Sequence, residues 1–342
     1  MTSPRVSVVV LNWNNLGDTL DCLRSLAMSS YQEIRVILID NHSDEDPTAT
    51  VSAHFPEIRI ERQRRNLGFS GGCNAGIVLA LQDEAEYVLL LNNDAFVTND
   101  MIARLVDVGE RHPEAASVTP TIRIHGSERI YWDGGTIDWS RGDTMHDSSS
   151  LPTLEDGVRE SGWSNGCALL LRAKTIREIG VLDDQFFLYF EDTDWSVRAS
   201  RLGWRHLVVL DAICWHKVAR SFGGPDNPVR RYYYVRNRYR LLAKHAPGHS
   251  SMRSTLLYFK RVLGDYHWYR KDVQMRRAVL HGALDSARNR WGEHREMNAG
   301  FMAVCDSIAY LVTTAGMALV TACRRAWRIA SVQSRGARGR ES

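Results

Sequence analysis

Apolar runs of strand length recur along the first third of the chain, and each stops abruptly at a polar cluster. Val6–Leu11 gives way to Asn12, Trp13, Asn14 and Asn15, and Arg35–Ile39 to Asp40, Asn41, His42 and Ser43. Glu86–Leu91 ends at Asn92, Asn93 and Asp94. Near-continuous apolar runs predict strands buried on both faces, as in a parallel sheet. Between them, Asp18–Ala27 carries Leu20, Leu23 and Leu26 at helical spacing, and a glycine-rich turn within Asn66–Gly76 opens a second helix. Ile58–Glu61 has the length of a short edge strand, and Met101–Glu110 is helical in pattern. Strands alternating with helices of this length predict an α/β domain, a mostly parallel, doubly wound sheet flanked by helices. Ligands of such sheets bind outside the carboxyl ends of the strands, which is where the three polar clusters fall.

The pattern loosens after about residue 116. Residues 117–225 hold short strands (ASVTPTIRI, HLVVL), a loop rich in Gly, Ser and Asp around Asp133–Gly157, and a helix from about Thr193 to Leu202. From 226 to 296 the chain becomes arginine- and aromatic-rich helix (VRRYYYVRNRYRLLAKH), followed by an apolar segment within 297–330 and a basic tail, 331–342, of disordered composition. The expected organisation is a domain, 1–225, with a nucleotide-binding half to about 116 and a less regular half after it, and then a helical extension.

Composition changes this picture little. The net charge of +3 is too small to imply a nucleic-acid partner. Only five of the 43 basic residues are lysine, and arginine suits bidentate contacts with phosphate or carboxylate. Six scattered cysteines make neither a zinc motif nor a disulfide framework and suit a reducing compartment. The first apolar run is too short for a signal-peptide core, so a cytoplasmic catalytic domain is expected.

Candidate chemistry sits in four stretches. Asp40, directly after a buried strand, can accept hydrogen bonds from a base imide or a ribose hydroxyl, or form an Asx-turn. Asp94 is either an ordinary turn residue or a carboxylate at the ligand edge of the sheet. The glycines of RRNLGFSGGCNAG allow close backbone approach to a ligand, but no Walker or G-x-G-x-x-G motif is present. In FFLYFEDTDW the aromatic run Phe186–Phe190 would exclude water beside Glu191 and Asp192 and raise the pKa of at least one, as a general base requires. Asp192 or Thr193 could instead cap the next helix, with Asp194 and Arg198 an exposed pair four residues apart. His216 ends another apolar run and is either structural or, with Asp94, part of a hard-cation site.

In their order, VSVVVLNWNN, VILIDNHSDED, NLGFSGGCNAG, YVLLLNNDAFV, SNGCALLLRAKTIREIGVLDDQFFLYFEDTDWSVRASRLGW and CWHK resemble the inverting family-2 glycosyltransferases of GT-A fold. The likeness is to the rhamnosyltransferase-like bacterial branch and covers roughly residues 4–245. It implies that Asp94 holds a divalent cation (manganese or magnesium) bridging the donor diphosphate, with His216 completing the site. Asn92 stands where the family's D-x-D motif has its first acid, which leaves it a ribose or water-mediated contact. Asp40 would read the base, with Asn12 and Asn14 nearby, while Asn66, Gly68 and Asn74 fall on the donor-side turn and helix, and Asn93 shapes the turn. Asp192 is the expected base and Glu191 its neighbour, with Trp163, Asn165 and Gly166 on the acceptor side. The implied partners are a nucleotide-diphosphate sugar, dTDP-rhamnose before a UDP-hexose, and a lipid-linked or growing cell-surface glycan.

Two rivals share the pattern in part. A sugar-nucleotide pyrophosphorylase would carry a glycine-rich signature at its first turn, where this chain has LNWNNLGD. A catalytically degenerate scaffold would suit Asn92 but not the intact Glu191–Asp192. The uncharged segment Ser307–Cys323, followed by Arg324, Arg325 and Arg328, suits a helix on the inner face of the plasma membrane, a core helix or a contact in a homo-oligomer.

Overall fold

The computed structural model describes residues 3–218, 227–246 and 251–311. The chain opens with β1 (Val6–Asn12), α1 (Leu16–Ala27), β2 (Ile34–Asp40), α2 (Thr48–His54), β3 (Arg59–Arg62), α3 (Gly68–Gln82) and β4 (Tyr87–Asn92). β1 pairs in parallel with both β2 and β4, and β2 with β3, as the alternating pattern predicts. One face of this sheet buries Val8, Val10, Leu38, Leu89 and Leu91 under α1 and its neighbours. The other buries Val9, Ile37, Ile39 and Leu90 under α3. Burial on both faces is why these runs are apolar without interruption. Gly76 of α3 serves this packing: a Cβ there would lie 2.2 Å from Val9 Cγ1.

The second half of the sheet is mixed, not parallel. It continues through β5 (Ala95–Val97), α4 (Met101–Arg111), β6 (Ala115–Ile124) and β7 (Ile130–Trp132). A separate hairpin follows, β8 (Thr136–Asp138) and β9 (Asp143–Met145), and then β10 (Val158–Ser161), β11 (Ala168–Arg172), α5 (Ala173–Ile179), α6 (Glu191–Arg201) and β12 (Arg205–His216). The sheet order is β10-β12-β6-β11-β4-β1-β2-β3, with β11 antiparallel to both neighbours. Strand β12 is longer than HLVVL suggests, because a bulge lets it run on to His216. Between the pairs Val209–Pro120 and Ile213–Thr121 it advances four residues while β6 advances one.

Asn227 caps α7 (Pro228–His245) by accepting from the Val229 and Arg230 N–H groups, with Pro228 at the first helical position. Helices α7, α8 (Ser251–Trp268) and α9 (Val273–Ala287) share a core of Val235, Tyr258, Val262 and Val279, and residues 299–311 form a further helix. No described helix is long and apolar enough to cross a membrane. Most of the apolar segment Ser307–Cys323 and all of the tail 331–342 lie outside the described residues.

Buried polar groups link α6 to both halves. His206 Nε2 donates to the Ser196 carbonyl at 2.9 Å, so its Nδ1 accepts from Ser117 Oγ at 2.7 Å. Asp194 pairs with Arg198 at 2.9 Å as the spacing predicts, but the pair is not exposed. Asp194 is fully buried and also takes Lys244 at 2.6 Å and His245 at 2.7 Å, because α7 packs over it.

Burial lowers the His206 pKa from its ordinary value to about 4. The folded state holds it neutral, while the unfolded chain protonates near pH 6.5. Its contribution is therefore complete above about pH 6.5 and is lost as pH falls toward 4, by up to about 3 kcal/mol. Urea midpoints at pH 7 and 4.5 should differ less in His206→Gln than in the wild type.

Candidate active site

The parallel register aligns Asn12 with Asp40 and Leu11 with Asn92, so the polar strand ends meet at one edge. Asn12 Nδ2 donates to Asp40 Oδ1 at 2.9 Å, and Ser43 Oγ donates to the same oxygen at 2.5 Å. Asp40 Oδ2 takes the Ser43 N–H at 3.2 Å and Arg62 Nε at 3.2 Å. The carboxylate is wholly buried and its oxygens are engaged within the protein. Asn12 is committed to the same network and also accepts from Thr19 Oγ1. Asn14 is exposed and tied to Asp44. Asn41, which the sequence pattern did not single out, faces the cleft instead. Its amide donates to Asn66 Oδ1 and the Gly68 carbonyl, both at 2.9 Å, and its oxygen accepts from the Leu67 N–H.

Two cavities meet at this edge. The smaller, about 210 Å³, is lined by Asn41, Asn66, Gly68, Asn93 and Asp94. The larger, about 550 Å³, is lined by His146, Trp163, Asn165, Gly166, Glu191 and Asp192. Phe69, Asn92, Tyr131, Tyr189 and His216 stand in the wall common to both. Asn12, Asn14, Asp40 and Asn74 line neither. Asn74 is structural: its side chain clasps the Leu182 backbone, donating to its carbonyl at 2.8 Å and accepting from its N–H at 3.0 Å.

Asp94 and His216 come together because β5 pairs antiparallel with β12, Ala95 opposite His216. Asp94 Oδ1 lies 3.1 Å from His216 Nε2, and Asn92 Nδ2 lies 3.3 Å from the same nitrogen. Ligands adjacent on an octahedral magnesium ion stand about 3 Å apart, so the pair has suitable spacing and a suitable donor set. Among the described residues no third His, Cys, Asp or Glu joins them. Such a site therefore draws its remaining ligands from substrate phosphate and water. Asn93 works within the protein, donating to Thr19 Oγ1 at 2.9 Å.

Glu191 and Asp192 begin α6, behind a backbone that three non-glycine residues bend into the left-handed region: Phe187 (φ 64°), Tyr189 (φ 71°) and Phe190 (φ 73°). Phe190, rather than Asp192 or Thr193, occupies the N-cap. Left-handed bulky residues are costly and persist only where the surroundings hold them. Here Asn237 Nδ2 approaches the carbonyls of Phe186, Leu188 and Tyr189 at 2.7, 2.7 and 3.0 Å, and Arg236 donates to Phe186 O at 2.9 Å. Gly68 supports the loop from the other side. With φ at 73°, its Cβ would stand 2.4 Å from the Phe187 carbonyl, which receives the Phe69 N–H. Asn237 and Arg236 gave no signal in the sequence, since both are anonymous within an arginine-rich helix.

The two acids differ. Burial, then the neighbouring Asp192 charge, pushes Glu191 well above the carboxylate range, and its Oε2 has no partner among the described residues. Burial also raises Asp192, opposed by donation from the Gly166 N–H at 2.9 Å and the Thr193 N–H at 2.6 Å. Asp192 thus keeps hydrogen bonds that favour its anion at the cavity wall, whereas burial and the neighbouring charge shift Glu191 toward its neutral form. Trp163 packs against Trp132 at 5.6 Å between centroids, and Asn165 accepts from the Cys167 N–H.

A nucleotide-type cleft on a mixed sheet, with a carboxylate–imidazole pair facing a buried acid, defines a GT-A glycosyltransferase. Residues 7–175 match the family model Glycosyl transferase family 2. The chain is 27% identical over 222 residues to the N-acetylglucosaminyl-diphospho-decaprenol L-rhamnosyltransferase of Mycobacterium tuberculosis, covering 59% of this chain and 72% of that one. It is 22% identical over 241 residues to the dTDP-rhamnosyl transferase RfbF of Shigella flexneri, covering 66% and 76%. In fold it is similar to the mannosyltransferase PcManGT of Pyrobaculum calidifontis, solved with GDP-Man and Mn2+, at a TM-score of 0.53 and 13% identity over 85% of this chain and 89% of that one. Residues 7–175 form a glycosyltransferase domain of family 2, similar to those of the rhamnosyltransferases.

Asn237→Ala removes three donations to the left-handed loop. Turnover should fall by more than tenfold in a steady-state assay, with nucleotide affinity within about twofold of wild type.

Proposed function

We propose that the chain moves a sugar from a nucleotide-diphosphate donor to a hydroxyl of a lipid-linked or growing cell-surface glycan, with inversion. The observation that carries this reading is the placement of Asp192 on the larger cavity and of Asp94 with His216 at its junction with the smaller one. The rhamnosyl relatives favour dTDP-rhamnose over a UDP-hexose. A cytoplasmic site at the inner face of the plasma membrane, with peripheral contact through the C-terminal helices, accords with a lipid-linked acceptor.

In this reading the smaller cavity takes the donor between Asn66, Gly68 and Asn92, with Asp40 and Asn12 organising its floor from below. Asp94 and His216 would hold a manganese or magnesium ion, which supplies Lewis-acid stabilisation of the charge on the departing diphosphate. Asp192 accepts the proton of the acceptor hydroxyl as that oxygen bonds to the anomeric carbon. The bond from that carbon to the diphosphate breaks on the opposite face, and its electron pair leaves with the diphosphate. A single displacement inverts the anomeric centre, so one base suffices. The Gly166 and Thr193 donors fix the carboxylate, and the Phe186–Phe190 aromatics limit water beside it. Asn66, Asn92 and Asn93 remain the donor-side contacts of this proposal, with Trp163, Asn165 and Gly166 on the acceptor side.

Asp192→Asn should lower transfer by about 10²–10⁴-fold, while calorimetry with dTDP and manganese shows unchanged binding; wild-type turnover by this variant would overturn the assignment. Because burial raises Asp192, and only its anion acts as base, the acid limb of kcat/KM should lie above the ordinary aspartate value of about 4 and rise with pH. Nucleotide binding that ignores manganese would point to the scaffold reading instead.

A further inference from the structure

We propose that Arg230, in the first turn of α7, is a catalytic cation that grips the leaving diphosphate of the donor where the two cavities meet. This rests on the glycosyl-transfer reading. It adds a residue that acts on the bond being broken, on a helix outside the segment 7–175 that matches the family.

Cationic side chains are scarce on the donor side. Among the described residues that line the smaller cavity, Arg230 is the single arginine or lysine. It also lines the larger cavity, so this half-buried side chain stands at the junction, with Asp94 on one side and Asp192 on the other. Lys217 follows His216 directly in the chain but is turned away, its ammonium on Asp18 and 3.5 Å from Asp21. Arg231, the next residue of α7, lines the larger cavity but not the smaller.

The side chain is held from two directions. Asn227 caps the helix and accepts from the Arg230 N–H at 3.3 Å, which fixes the backbone. Arg230 Nε donates to the Tyr189 hydroxyl at 2.5 Å, and the guanidinium carbon lies 5.6 Å from the centre of that ring. Tyr189 is one of the left-handed residues that Asn237, further along the same helix, holds in place. Helix α7 therefore sets both the arginine and the phenol that orients it. Burial raises the Tyr131 and Tyr189 phenols, and the Arg230 charge opposes that rise in both, so it is felt across the wall between the cavities. With Nε on Tyr189, the terminal nitrogens supply the fork that matches phosphate oxygens in charge and shape.

Charge balance gives this cation its task. As the bond from the anomeric carbon to the diphosphate oxygen breaks, its electron pair stays on that oxygen, and the diphosphate gains one negative charge. The acceptor's proton goes to Asp192, so it does not neutralise the leaving oxygen. At the Asp94–His216 corner the Asp94 carboxylate answers half the charge of a divalent ion, which leaves about one positive charge against the diphosphate. A fixed guanidinium adds a second, through a hydrogen bond that strengthens as the charge develops. Arginine keeps its proton throughout, so it acts by position and charge and not as an acid.

The test is calorimetry on the full chain with thymidine and uridine mono- and diphosphates, in metal-free buffer and with manganese. The proteins are wild type, Arg230→Gln and Arg230→Lys. Without metal, wild type should prefer diphosphate to monophosphate by about tenfold, a preference lost in Arg230→Gln and partly kept in Arg230→Lys. Monophosphate affinity should stay within about twofold of wild type in both variants, which shows a folded site. The kcat for release of dTDP from dTDP-rhamnose in water should fall about 100-fold in Arg230→Gln, beyond the loss in diphosphate affinity. An Arg230→Gln protein with the wild-type preference and release rate overturns the proposal. So does a loss that falls equally on mono- and diphosphate, which marks a structural role. A wild-type chain that binds a diphosphate with manganese but shows no preference for it without metal defeats this inference alone. One that binds no nucleotide under either condition defeats the glycosyl-transfer reading as well.

Discussion

The geometry of the site hangs on one amide. Asn237 gathers three carbonyls of the loop before α6, those of Phe186, Leu188 and Tyr189, and without that gathering three bulky left-handed residues would relax toward ordinary backbone. The loop decides where Glu191 and Asp192 start their helix, and hence whether Asp192 meets the Gly166 N–H. Helix α7 is thus a working part of the catalytic half, although its composition resembles that of a surface helix. Its C-terminal end is fastened by Lys244 and His245 on buried Asp194 in the first turn of α6 and by the His245 carbonyl, which accepts from Arg201 at the last, so α6 is held at both ends by the same helix.

Charge in this protein is buried only where it is answered. Asp40 and Asp194 are wholly enclosed and each carries several donors, which keeps their desolvation from destabilising the fold. Glu191 lacks a partner for one oxygen among the described residues, and burial pushes its pKa up. Asp192 lies between these cases, with donors that favour its anion set against burial that opposes it. The two adjacent acids look equivalent in sequence, and only their surroundings make them unequal.

The parallel half of the sheet was legible because it is buried on both faces, and its strand ends were legible because polarity changes there at once. The antiparallel insertion of β11 was not, since an apolar strand looks the same in either direction. Asp94, Asp192 and His216 could be picked out by residue type at the end of an apolar run. Asp40 could be picked out the same way, yet it lies buried beside the cleft, because a strand end does not reveal which of two successive residues faces it. Here it is Asn41. Asn237, Asn74 and Tyr131 act through backbone carbonyls, or as a wall between cavities, and such duties leave no periodic trace. The arginines of α7 suggested phosphate by type alone, and only folding showed which of them lines both cavities.

The bulge in β12 carries a lesson about chain length. His216 meets Asp94 because Leu210, Asp211 and Ala212 are surplus against β6 before that pairing resumes at Ile213 and pairing with β5 begins at Cys214. None of the three carries chemistry. A single residue gained or lost there would turn the following side chains to the opposite face of the strand, and the imidazole with them. In an alignment of relatives, a gap at this point would part His216 from Asp94 as surely as replacing His216, with every letter of the cleft still in place.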